Sequence, residues 1–100
     1  MRYLELYNSY DFTIEKAEGV YIYDQEGNKY FDTFAGIGVM ALGHSHPEVV
    51  DAVSDKLHKY AHTSNYFLDQ DTERVAELIT EPGDKAFFVN SGTEATELAL

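Results

Sequence analysis

The reading of the fold turns on Ala86-Phe87-Phe88-Val89-Asn90-Ser91-Gly92-Thr93-Glu94-Ala95. The apolar run Ala86 to Val89 predicts a strand buried on both faces of a parallel sheet. Thr93 to Leu100 then takes up a helical pattern. A strand that turns through Ser-Gly-Thr straight into a helix gathers backbone N–H groups at the positive end of the helix dipole. Such a nest suits a phosphate or another dianion. The Ser91 and Thr93 hydroxyls add donors, and Gly92 lets the backbone approach closely. Ser91-x-x-Glu94 is equally a capping box, in which the serine oxygen takes a helix amide while Glu94 reaches back to the N-cap amide. Taken alone the stretch favours the cap, and the rest of the chain has to decide.

At 100 residues the sequence has room for one small domain. Hydrophobic residues at 44% and charged residues at 25% are the balance of a soluble globular chain rather than a disordered one. A net charge of -11 argues against sequence-independent nucleic-acid binding and against an anionic membrane surface. Cysteine is absent, which removes disulfides, thiolate metal sites and thiol nucleophiles. Met1 to Glu5 lacks the apolar stretch of a secretory signal, and no run approaches the roughly 20 apolar residues of a membrane span. The expected compartment is the cytoplasm. The run Ala86 to Val89 needs parallel partners, and the sequence offers no second such run. The helical pattern at Glu97 to Leu100 has no stop signal. Both features predict the N-terminal portion of a larger α/β protein.

Upstream, Tyr3, Leu4, Leu6, Tyr7 and Tyr10 have a weak helical spacing, and Ile14 to Ala17 suits a short strand. Val20 to Tyr23 and Lys29 to Asp32 are β-rich runs joined by Asp24-Gln25-Glu26-Gly27-Asn28, a hairpin whose loop takes its positive φ at Gly27. Thr33 to His46 is punctuated by Gly36, Gly38 and Gly43. Gly36 to Ala41 fits G-x-G-x-x-A in form, but Gly43 and Pro47 leave no room for the helix a dinucleotide fingerprint requires. An extended loop allowing close approach by another backbone or a ligand is expected instead. Pro47 opens a helix to about Tyr60, with Val49, Val50, Val53, Leu57 and Tyr60 in one apolar stripe. A second helix from about Asp71 to Thr80 should bury Val75, Leu78 and Ile79, and Pro82-Gly83 ends it. The expected organisation is residues 1–46 as an N-terminal hairpin sheet with a glycine-rich loop, and residues 47–100 as the start of a larger domain.

Two pairs of histidines, His44-x-His46 and His58-x-x-x-His62, raise a metal site. The second pair lacks the glutamate of H-E-x-x-H, since Lys59 follows His58, and the pairs fall on different elements. Hydrogen bonding of His44 and His46 within a turn, with His58 and His62 at a helix end, is the plainer reading. A nucleophilic Ser91 would need G-x-S-x-G, but residue 89 is Val and residue 93 is Thr.

Four stretches together resemble the N-terminal part of the class-III (subgroup II) aminotransferases, pyridoxal-phosphate enzymes of fold type I. They are Gly19 to Asp24 with Gly27 to Asp32; Gly36-Ile37-Gly38-Val39 with Gly43-His44-Ser45-His46-Pro47; His62 to Asn65; and Phe87 to Ala95. Their order and spacing run across nearly the whole chain. Asn8-Ser9-Tyr10 looks like the Asn-Thr-Tyr of the acetylornithine branch, with Ser for Thr. The resemblance implies an α/β fold with a small antiparallel sheet and then the start of a large, mainly parallel sheet. It implies that Ser91, Gly92 and Thr93 bind the phosphate of pyridoxal 5'-phosphate. It further implies that Tyr10 and Ile37 border the substrate channel, with Thr63 to Asn65 near a dimer interface.

Family members are homodimers with shared active sites, acting on a small-molecule amino donor and 2-oxoglutarate. The implied reaction moves the terminal amino group of N-acetylornithine or a similar ω-amino compound. Ornithine, 4-aminobutyrate, acyl-diaminopimelate and glutamate-1-semialdehyde stay open as alternatives, and from another class so does a non-catalytic α/β module. No catalytic residue falls within the chain: the family's Schiff-base lysine, its pyridine-facing aspartate and its carboxylate-binding arginine are expected beyond residue 100. Lys16, Lys29, Lys56, Lys59 and Lys85 match none of those roles.

Overall fold

Three antiparallel strands open the fold: β1 (Ile14–Glu18), β2 (Tyr21–Asp24) and β3 (Lys29–Phe31), in the order β1-β2-β3. The structure is a computed structural model describing residue 4 and residues 6–100. The expected helical spacing near the N-terminus rests partly on Tyr3, outside the described residues; Leu4 and Leu6 to Tyr10 are not helical. Strand β1 forms as its sequence predicts and pairs Ala17 with Ile22 and Glu18 with Tyr21. The β2–β3 hairpin pairs Tyr21 with Phe31 and Tyr23 with Lys29, and Gly27 takes φ 87°. Its loop is organised by Asp24, which is 4% exposed. The Asp24 carboxylate accepts from the Glu26 and Asn28 amides (3.0 and 2.8 Å), from Asn28 Nδ2 (2.9 Å) and from the Tyr30 hydroxyl (2.8 Å).

After the sheet comes α1 (Ala35–Gly38), one turn in which every residue has positive φ: 48° at Ala35, 61° at Gly36, 65° at Ile37 and 79° at Gly38. This departs from the extended loop expected over Thr33 to His46. Glycine occupies positive φ freely, but an L-residue there costs roughly 1–2 kcal/mol, and a β-branched one is a marked outlier. Gly43 does allow close approach by another backbone, since a Cβ on it would stand 2.9 Å from the Gly19 carbonyl oxygen. Gly19 and His44 exchange two backbone hydrogen bonds (2.9 and 2.8 Å), and Ser45 Oγ donates to the Ala17 carbonyl at 2.8 Å. The loop before the next helix is thereby fastened to the sheet.

Helix α2 (Pro47–Lys59) starts on proline and carries Lys56 and Lys59 in its last turn, where cations suit the dipole. Its valines and Leu57 line an open apolar groove of about 890 Å³ together with Val39 to Gly43. The chain divides into two compact units, the first ending at Ala61 and the second running from His62 to Leu100. In the second, α3 (Gln70–Ile79) is capped by Asp69, whose carboxylate accepts from the Thr72 amide at 2.9 Å. Val75, Leu78 and Ile79 are exposed rather than buried as expected, because nothing in the described structure covers that face. Ala86 to Val89 likewise forms no strand: among the described residues none pairs with it, and a strand is defined by its partners. Helix α4 (Gly92–Ala99) follows, starting one residue before the sequence pattern.

Candidate functional site

Ser91 is the N-cap of α4, extended at φ -153°, ψ 156°. Its Oγ accepts from the Glu94 amide at 3.2 Å, and its carbonyl takes the Ala95 amide at 3.1 Å. Glu94 does reach back, but one residue further than a capping box requires: Oε2 accepts from the Asn90 amide at 2.8 Å, leaving the Ser91 amide aside. The amides of Gly92 and Thr93 are the first two of the helix and have no carbonyl behind them to bond. Ser91, Gly92 and Thr93 are thus brought together as two open amides and two hydroxyls at the positive end of the helix. Beyond its chain neighbours and the backbone of its own helix, no heavy atom among the described residues lies within 4 Å of where a Gly92 Cβ would stand, and Gly92 is not among the positive-φ glycines. Nothing among the described residues therefore requires glycine at 92, and glycine early in a helix is less favourable than alanine. The open approach it leaves is what an incoming phosphate needs, so the residues present fit that group.

The other two expected site residues lie in the first unit. Tyr10, 71% exposed, stacks on Phe12 at 5.8 Å, and Phe12 stacks on Tyr30 at 4.7 Å. Ile37 is 91% exposed on the positive-φ turn. In the second unit, Ser64 sits at φ 83°, its carbonyl taking the Phe67 amide at 3.2 Å, which bends the loop before α3.

The sequence reading missed a pairing that holds the Ile37 turn. Asp32 Oδ1 accepts from the Phe34 and Ala35 amides, each at 3.0 Å, while Oδ2 meets His44 Nε2 at 2.6 Å. The His44 hydrogen bond, helped by the two amides, holds the Asp32 carboxyl below its ordinary value. Asp followed by open amides two and three residues on is the signal of an Asx turn and was available in the sequence; the partner twelve residues away was not. His44 hydrogen-bonds as expected, whereas His46 Nδ1 is buried with no hydrogen-bond partner among the described residues. His58 Nδ1 contacts the Ser54 carbonyl at 2.8 Å. No group of three or more His, Asp or Glu among the described residues is placed to hold a metal.

With this geometry in view, residues 5–100 match the family model Aminotransferase class-III. The chain belongs to the class-III aminotransferases, and its α/β fold is that of the N-terminal part of a fold type I enzyme. Among its relatives is the acetylornithine aminotransferase of Halalkalibacterium halodurans, 47% identical over 96 residues, covering 94% of this chain and 25% of the relative. The acetylornithine aminotransferase of Methanopyrus kandleri is 40% identical over 102 residues, covering 98% and 26%. Of the solved structures, acetylornithine aminotransferase from Elizabethkingia anophelis superposes with a TM-score of 0.88 at 33% identity, over 98% of this chain and 26% of that one. Plasmodium falciparum ornithine delta-aminotransferase gives 0.84 at 26% identity, over 96% and 26%. The chain spans about a quarter of the length of these relatives.

Proposed function

We propose that this chain is the N-terminal part of a pyridoxal-phosphate-dependent aminotransferase that moves the terminal amino group of N-acetylornithine to 2-oxoglutarate. The observation that carries the reading is the coincidence of 47% identity to an acetylornithine aminotransferase with an open helix start at Ser91-Gly92-Thr93. Pyridoxal phosphate supplies an electron sink for carbon–nitrogen chemistry when bound. The share of this chain is orientation. The Gly92 and Thr93 amides and the Ser91 and Thr93 hydroxyls would anchor the phosphate, and the α4 dipole favours its charge. Tyr10 and Ile37 would shape the path of the amino donor. Ornithine is the second reading, favoured by the likeness to ornithine aminotransferase structures. A cytoplasmic homodimer fits the family resemblance and the acidic sequence.

The test is glutamate formation by the full-length protein from 2-oxoglutarate and each of N-acetylornithine, ornithine and 4-aminobutyrate. The expected order of kcat/KM puts N-acetylornithine first. A preference for ornithine moves the assignment to the second reading, and no glutamate from any donor sinks both.

A further inference from the structure

The four residues of α1 share positive φ, yet only Gly36 and Gly38 are glycine. Gly36 has a reason within the chain, because a Cβ there would stand 3.0 Å from Val39 Cγ2 on top of its positive φ. Ile37 has none. An isoleucine at φ 65° and 91% exposed is disfavoured by its own backbone and gains no packing among the described residues. A residue kept in such a state needs surroundings that over-determine it.

Those surroundings are a continuous set of contacts running back to the sheet. Asp32 Oδ1 takes the Phe34 and Ala35 amides and so fixes the entry to the turn. The Phe34 carbonyl accepts from the Ile37 and Gly38 amides, and the Ala35 carbonyl from those of Val39 and Met40. Asp32 Oδ2 is tied to His44 Nε2, the shortest of these contacts at 2.6 Å. The His44 backbone is doubly bonded to Gly19, with Gly43 pressed on the same Gly19, and Ser45 is bonded to Ala17 of β1. The Asp32 and His44 side chains are only 8% and 19% exposed, so solvent competes little for the pair.

We infer that Asp32 and His44 are positioning residues: they brace the positive-φ turn so that Ile37 is presented to the amino donor. This rests on the proposed aminotransferase function and deepens it, since neither side chain is asked to touch the substrate. Such a brace acts through placement, and small displacements of a pocket wall are costly to turnover.

The test uses the full-length enzyme loaded with pyridoxal phosphate. Asp32→Ala should speed amide exchange at Ile37, Gly38, Val39 and Met40, and raise KM for the donor on the order of ten-fold while kcat moves less. Cofactor absorbance should not change. Asp32→Asn keeps an acceptor for the two amides and should restore most of both effects. Ala35→Gly in the Asp32→Ala background should lower KM again, because glycine enters the turn without strain. A purely structural loss would not be rescued there. If Asp32→Ala does not fold, His44→Ala carries the test, with smaller changes in the same direction. Unchanged exchange in an active variant overturns the brace; faster exchange with an unchanged donor KM overturns the positioning role. A wild-type enzyme that makes no glutamate from any donor overturns the functional reading instead, and the substrate role of the turn goes with it.

Discussion

At Gly92, sequence and structure separate two demands that share one turn. The helix start is satisfied by Ser91 Oγ on the Glu94 amide and by Glu94 on the Asn90 amide, and glycine contributes to neither. Gly92→Ala in the full-length protein should therefore leave the melting temperature unchanged or raise it, with a helix-propensity gain of up to about 1 kcal/mol. Pyridoxal-phosphate affinity, followed by equilibrium titration, should fall. A lower melting temperature with intact affinity would assign the glycine to the fold. Ser91→Ala carries both losses, and its cap alone is worth about 1 kcal/mol. Asp24 and Asp32, both in the first unit, make a prediction of another kind. Asp24 is held below its ordinary value of 3.8, mainly by Asn28 with help from Tyr30 and two amides, and Asp32 is held below it mainly by His44. Both bind protons less readily folded than unfolded. Their stabilisation is fully present above that ordinary value and is lost as pH falls through the depressed ones. Tyr30 runs the other way: the Asp24 hydrogen bond raises it above 10.0, so its contribution is full below that value and fades as pH rises through the raised one. In thermal melts, the gap between wild type and Asp24→Asn or Asp32→Asn should narrow as pH drops below about 4. A gap independent of pH would mean that these hydrogen bonds do not select the ionised carboxylate.

Elements whose cause is local were legible, and elements whose cause is remote were not. The β2–β3 hairpin was readable because Gly27 and two β-rich runs define it within a dozen residues. Pro47 and the apolar stripe defined α2 in the same way. Helix α4 was readable from Ser91 and Glu94, though the actual reach of Glu94 to Asn90 was not. The turn at Ala35 to Gly38 was legible only at its entry, where Asp32 signals an Asx turn; the rest of its backbone is held from further away, by His44 and the contact of Gly43 with Gly19. Spacing carries no trace of those two. Gly43→Ala is the sharpest probe at this scale. The added methyl meets the Gly19 carbonyl at 2.9 Å while φ stays at 81°, so strain and overpacking act together. A loss of roughly 2–4 kcal/mol is expected, read by denaturant unfolding of the full-length protein. Gly27→Ala has positive φ and no clash, and should cost only about 1–2 kcal/mol. Equal losses at the two positions would mean that the contact with Gly19 contributes nothing.

On the scale of the whole chain, the governing fact is that no apolar side chain among the described residues is buried, whereas an average domain of this length hides a core. Phe87 and Phe88 stand 69% and 49% exposed, Leu78 and Ile79 77% and 65%, and the valines of α2 about half. The pattern is not that of a polar chain, since 44% of the residues are hydrophobic. These faces have the right periodicity for burial and lack what buries them, which is also why the sequence predicted a strand at Ala86 to Val89 that finds no partner. Relatives of the chain are about four times as long. The antiparallel sheet is the exception, because its hydrogen bonds are satisfied within the chain. A polypeptide of these 100 residues, made alone, should consequently melt without a cooperative transition and bind a hydrophobic dye, while residual β-structure near Ile14 to Phe31 persists. Side chains left half or more exposed realise only part of the roughly 25 cal/mol per Å² that burial supplies, and ordering each residue costs about 1–2 kcal/mol. The balance then lies on the unfolded side. Circular dichroism melts with dye binding decide it: a sharp transition without dye uptake would mean that these 100 residues bury an apolar core of their own.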